Sequence, residues 1–196
     1  MLFPLAAVAQ RKSPTRTFTM DTAQSQIVVT LTQEGMIGKR YPTHRVLAKS
    51  FTCRIELPKD ETRMSVTVTT EAKAMTNADE AMSDFERKGF HDVLRNTVLE
   101  AEKFPKIVFT SASVTNVKRS GEQRTFTLTG DLMLHGVTKR LSFPVQVTMA
   151  GDQIRATGEA KLKQSDFDMK PFERGMGLIK IGDEAKVSFT IVAKAE

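Results

Sequence analysis

Few side chains in this 196-residue chain are of types that do chemistry. There is one thiol, Cys53, and there are three imidazoles, His44, His91 and His135. Asp166 with Asp168 and Asp183 with Glu184 form acidic pairs, and Ser25, Ser111 and Ser142 lie on apparent strands. None has a spacing that chemistry requires. The histidines are dispersed, with no HxH or HExxH pattern to hold a metal, and read as surface or turn residues. No GxSxG element, glycine-rich phosphate loop or serine with a matching histidine and acid is present. The acidic residues stand at turns, where carboxylates ordinarily bind local backbone amides. In "FTCRIEL", Cys53 shares the parity of Phe51, Ile55 and Leu57, so it reads as a small inward hydrophobe with no neighbouring cation to activate it. A single cysteine also excludes an intramolecular disulfide. The expectation is a protein that is not an enzyme and has no metal or cofactor.

The elements that carry these residues alternate with period two almost everywhere after residue 18. Ile27, Val29 and Leu31 open the pattern; Leu47 to Leu57 and Met64 to Val68 continue it. Next come Ile107 and Phe109 on one face, with Val108, Ala112 and Val114 on the other. Further runs cover Phe126 to Leu134, Leu141 to Met149, Ile154 to Leu162 and Ala185 to Ala193. Turn signals separate the runs: "PKDET" (58–62), "RSGEQ" (119–123), "HGVTK" (135–139), "AGDQ" (150–153) and "IGDEA" (181–185). Residues 76–104 break the pattern. Thr76 or Asn77 can cap a helix with Asp79 and Glu80 in its first turn, Met82 and Phe85 as an apolar pair, and Gly89 as its stop. A second turn, with Phe90, Val93 and Leu94 on one side, follows it as part of a helical cover.

About eight antiparallel strands build a sandwich or a closed barrel, and closure removes the exposed edges. The inward positions Gly130, Ala156, Gly158, Ala160, Ala185 and Ala193 are small, which fits either a tapering packed interior or an open lumen. The net charge is +6, and the basic residues come in pairs, Lys39-Arg40, Arg87-Lys88, Lys118-Arg119 and Lys139-Arg140, mostly near turns. With no Trp and one Tyr, strand-borne stacking of bases is not supported, which argues against nucleic acid. The opening "MLFPLAAVAQ" ends in Ala-Val-Ala, a pattern that signal peptidase accepts, so export is expected. Residues 1–17 then read as an N-terminal extension, the remnant of a signal peptide, and 18–196 as one domain.

Four ordered segments carry a family resemblance: "LRNTVLEAEKFPKIVFTSASV" (94–114), "LTGDLMLHGVTKRLSFPVQV" (128–147), "LKQSDFDM" (162–169) and "IGDEAKVSFTIVAKA" (181–195). Together they resemble the successive motifs of the YceI-like family over residues 18–195. At the start the family usually shows an aromatic-x-Ile-Asp opening, a His-Ser pair and a further histidine. This chain has Phe18-Thr19-Met20-Asp21, Gln24-Ser25 and Gln33 there, and a longer loop "EGMIGKRYPTHR".

The resemblance implies an all-β fold, an extended eight-stranded antiparallel lipocalin-like barrel with a short helical insertion around residues 77–100. It also implies a periplasmic or secreted protein that holds a long isoprenoid chain, a quinone or polyprenyl lipid, in its lumen. Basic residues at a rim would meet an anionic headgroup, and transient membrane contact and a homodimer are compatible with such a carrier. The wall expected for the tunnel is Val29, Leu31, Phe51, Ile55, Phe109, Phe126, Leu128, Phe143, Val145 and Phe189. Each could equally be plain barrel core. The alternative is a filled barrel acting as a protein-interaction or stress-response module without lipid.

Overall fold

The computed structural model describes residues 15–35 and 43–196. Its strands are β1 (Arg16–Met20), β2 (Gln26–Glu34), β3 (Thr43–Ala48), β4 (Phe51–Leu57), β5 (Ser65–Glu71) and β6 (Met75–Asn77). After helix α1 (Asp84–Val93) come β7 (Lys106–Ser120), β8 (Gln123–Leu134), β9 (Val137–Ala150), β10 (Gln153–Lys163), β11 (Glu173–Arg174) and β12 (Ile179–Ala195). Every pairing is antiparallel, and the order β1-β4-β5-β7-β8-β9-β10-β12 returns to β1 through Phe18 opposite Ala195. The sheet is thus a closed barrel of eight staves. Three staves are built from two strands each. β1 runs on into β2 along β12, β4 and β3 pair alongside them, and β5 continues into β6.

The three interrupted staves break at one level, at residues 21–25, 49–50 and 72–74. Local chemistry repairs the ladder there. Asp21 Oδ1 accepts from the amides of Ala23 and Gln24, forming an Asx turn. The Ser25 hydroxyl donates to Val192 O and accepts from Val192 N, standing in for a strand partner.

At the end of the barrel where β6 stops, no strand among the described residues covers its outer edge, and the helical segment takes that place. Ser83 caps α1 in a reciprocal capping box with Glu86. A π turn at Leu94–Val98 prolongs the helix. Phe90, Val93, Leu94 and Val98 pack on the cluster of Leu31, Val46, Met75 and Leu134. His91 Nε2 accepts from the Asn77 amide, and Arg95 donates to Met75 O, so the edge of β6 is satisfied by side chains.

Several local expectations are corrected. The helix starts at Ser83, because residues 75–77 are drawn into the sheet, and Gly89 lies inside it. Phe85 is 88% exposed, so it does not serve as a buried apolar anchor. "IGDEA" is a bulge within β12, with the register shifting between Ile181 and Ala185. Arg16 and Thr17 already pair with Leu57 and Glu56, so the strand starts ahead of the expected boundary at 18. Val114 is buried with Leu128 and Phe143, on the same side as Phe109. A bulge between Ser111 and Ser113 inserts one residue and flips the parity of β7. The expected N-terminal extension up to residue 14, with its export signal, and Lys39-Arg40 lie outside the described residues.

Gly158 stands directly opposite Phe189. A Cβ there would lie 2.5 Å from the ring and 2.8 Å from Pro144 O, whereas one on Gly89 would meet nothing. Gly158→Ala is therefore expected to destabilise by about 1–3 kcal/mol. Gly89→Ala should stabilise by about 0.5–1 kcal/mol by restricting the unfolded helix backbone. Urea unfolding followed by far-UV circular dichroism measures both.

Candidate functional site: an apolar lumen

The inward side chains of the staves do not meet on the barrel axis. They leave a continuous lumen of about 280 Å³ that runs from Leu94, Val98 and Met169 under the helical cover to Met64, Val117 and Met149 at the opposite end. Its wall is mostly aliphatic and aromatic, and among the described residues only Glu61, Thr70, Arg124 and Gln164 contribute polar side chains. Apolar residues such as Val29, Val66, Phe109, Leu141 and Phe189 point inward yet remain only half-buried, because part of each faces this space. A stave such as β8, with 12 residues, makes the barrel roughly 30 Å tall at the usual strand rise and tilt.

Aromatic placement keeps the space open. The Phe109 and Phe143 rings lie 5.6 Å apart, and Phe143 meets Phe189 edge-on at 5.9 Å. Phe109 rests over Gly130, where an added Cβ would stand 2.4 Å from the ring, and Phe189 rests over Gly158 in the same way. The two glycines thus do not open space by being small. They let the rings lie along the wall. Ala156, Ala160 and Ala185 do line the lumen, whereas Ala193 is completely buried.

Val29, Leu31, Ile55, Phe109, Phe126, Leu128, Phe143, Val145 and Phe189 all stand on the lumen wall. Phe51 does not. It faces a second recess beside the stave breaks, with Met20, Gln24, Ser25 and Leu47. The polar members of the wall were missed. Arg124 shares the inward parity of Phe126 and Leu128 in "RTFTL", which is the signal that was available for it. Glu61 sits in the β4–β5 turn and has no periodicity to reveal it.

Cys53 is buried, and loss of hydration pushes its thiol up to about 12, so it is inert packing. His44 and His91 depart from the expectation of surface or turn positions, whereas His135 meets it. His44 is only 5% exposed on β3, with Nδ1 2.9 Å from Asp79 Oδ2 and Nε2 3.0 Å from Gln33 Oε1. Asp79 also accepts from the Arg45 amide and from Asn77 Nδ2, while Arg87 donates to Asn77 and to Asp79 O. This network ties β2 and β3 to the helical cover. His135 lies in the β8–β9 turn, with Nδ1 3.2 Å from Phe167 O. Asp183 stands on the β12 bulge rather than at a turn, and it accepts from the amide and hydroxyl of the distant Ser165 instead of from local amides. Among the described residues no group of three or more His, Cys, Asp or Glu could hold a metal ion, and no helix is long and apolar enough to cross a membrane.

An up-and-down barrel with an apolar axial lumen and no assembled reactive cluster is the architecture of a protein that encloses apolar molecules. The model of the YceI-like domain matches residues 18–193, and the chain belongs to that family. BcnA of Burkholderia cenocepacia superposes with a TM-score of 0.71 at 20% identity, covering 89% of this chain and 99% of that one. A polyisoprenoid-binding domain from Saccharophagus degradans, implicated in plant cell wall breakdown, gives a TM-score of 0.65 at 10% identity, covering 91% and 98%. The YceI protein of Campylobacter jejuni, which crystallises with large solvent channels, gives 0.57 at 17% identity, covering 77% and 84%. No curated protein matches.

His91 links the cover to the site in a pH-dependent way. Its Nε2 accepts from the Asn77 amide and lies 2.8 Å from the Thr76 hydroxyl. Burial, and then Arg95 and Arg87, hold its pKa below the ordinary 6.5. Because the folded value is the lower one, the contribution is full above 6.5 and is lost as pH falls below it, where the opened chain takes up the proton. Hydrogen exchange at Asn77 and along α1 should therefore speed up, relative to the rest of the barrel, between pH 7 and 5. His91→Gln should remove that dependence.

Proposed function

We propose that this protein binds a long-chain isoprenoid lipid, of quinone or polyprenyl type, in the barrel lumen and stores or carries it in the periplasm. The observation that carries this reading is the continuous apolar passage along the barrel axis. A cavity of this kind gives water almost no hydrogen-bond partners, and apolar cavities of about 150 Å³ already stay dry and accept small hydrocarbons. Each methylene-sized group taken from water contributes roughly 0.8 kcal/mol, offset in part by ordering the chain. A slender, repetitive hydrocarbon matches a narrow passage better than a compact one would. Membership of the YceI-like family and the polyisoprenoid-binding relative support an apolar lipid as the partner. The Ala-Val-Ala segment near the start of the sequence supports a periplasmic location, and loading would take place by transient contact with a membrane surface. A filled barrel that serves as an interaction module is the competing reading, and the half-buried inward wall argues against it.

The protein, expressed with export to a bacterial periplasm and purified without detergent, should release a stoichiometric quinone or polyprenyl species into organic solvent, identified by mass spectrometry. An extract without lipid, both before and after incubation with membranes, would favour the interaction module. Replacing Ala156 and Ala160 together by Leu should place new side chains in the passage. Bound lipid is then expected to fall about tenfold or more while the unfolding temperature holds, since the added groups enter open space rather than packed core.

A further inference from the structure

The end of the lumen opposite the helical cover carries a charged group at its mouth. Glu61 stands in a short 3-10 turn (Glu61–Arg63) that follows β4 and packs across β7. Arg119 Nη2 and Nε lie 3.0 and 3.1 Å from Glu61 Oε2. Arg124, the next basic residue around the β7–β8 turn, sends Nη1 to the backbone oxygens of Gly121 and Gln123. Its Nε is buried without a hydrogen-bond partner, because Glu61 Oε1 stands 3.7 Å away, beyond hydrogen-bond reach. Both Glu61 and Arg124 line the lumen and keep about a fifth to a quarter of their side chains in contact with solvent, at 25% and 21%.

This is an anion site already occupied by an internal carboxylate, one guanidinium bound and the second donating incompletely. Its place at the passage mouth is what a one-headed amphiphile requires. The hydrocarbon lies in the lumen and the head meets the two guanidinium groups, whose planar forks fit phosphate or carboxylate oxygens. Resting on the lipid-binding reading above, we infer that Arg119 and Arg124 form the headgroup subsite for a single-chain lipid ending in an anionic group, and that Glu61 holds the place the head takes on binding. Entry of the head displaces the Glu61 carboxylate, so the turn at 61–63 works as a latch released by its own ligand. A neutral-headed chain has nothing to exchange with Glu61.

Calorimetric titration of the delipidated full chain with geranylgeranyl monophosphate, palmitate and geranylgeraniol tests this. Arg124→Gln is expected to weaken the phosphate about tenfold, the loss of one charged hydrogen-bond donor, and to leave the alcohol within about twofold. Arg119→Gln, on a side chain 58% exposed and so harmless to folding, should act in the same direction. Glu61→Gln should strengthen the phosphate by removing its competitor. Palmitate that follows the phosphate marks a general anion site. Palmitate that follows the alcohol narrows the site to phosphate. Equal losses for phosphate and alcohol, or unchanged affinities in all three variants, would overturn the subsite while leaving the lumen reading in place. A wild-type chain that takes up none of the three would overturn both.

Discussion

Closure of the sheet is the constraint on which the rest depends. A strand with an unpaired edge exposes a row of amides and carbonyls, and this chain removes its edges by bringing β1 against β12. Once the ring is shut, alternate side chains must point at the axis, and the number of staves fixes how far apart the facing walls stand. The lumen therefore follows from closure together with residue choice. Phe109 over Gly130 and Phe189 over Gly158 show that choice at work: large rings are present, but each lies where the neighbouring stave has no Cβ.

Closure is imperfect at one corner, and the helical segment makes up for it. β6 ends after three residues, and β7 begins too late in space to pair with it. His91 and Arg95 supply the missing donor and acceptor chemistry, while Asp79, Asn77, Arg87 and His44 tie the segment to β2 and β3. Among the described residues, the buried polar side chains Gln33, His44 and Asn77 gather there, with His44 bonded to Gln33 and Asp79 and Asn77 bonded to Asp79, while Arg95 Nε stays without a hydrogen-bond partner. The lumen wall, by contrast, is nearly free of them. Polar side chains thus serve assembly at one end and, through Glu61 and Arg124, the mouth at the other.

Much of the fold was legible because the side-chain period of a strand is two and each stave is long. Cys53, Ile55, Leu128 and Val145 could be placed on the inner face from alternation alone. Legibility failed where the backbone gains a residue. Val114 changes sides because β7 gains one residue near Ala112, an insertion that leaves no compositional mark, whereas β12 gains two between Ile181 and Ala185, where Gly182 and Asp183 look like a turn. Phe51 has the inward parity but lies at a stave break, where the wall turns aside into another recess. His44 could not be located, since its partners Gln33 and Asp79 come from β2 and the β6–α1 loop. Arg124 was readable by parity but was passed over because inward positions were assumed to be apolar.

β12 spans the barrel at its last described residues, holding β10 on one side and both β1 and β2 on the other. The pair that shuts the ring joins Phe18 to Ala195, almost the full length of the chain apart. During synthesis the first and seventh staves thus wait, each with one raw edge, until β12 has been made. The barrel cannot shut before this last stave is available, and such non-local closure is slow. Until then the chain is an open sheet whose two raw edges are free to adhere to other strands.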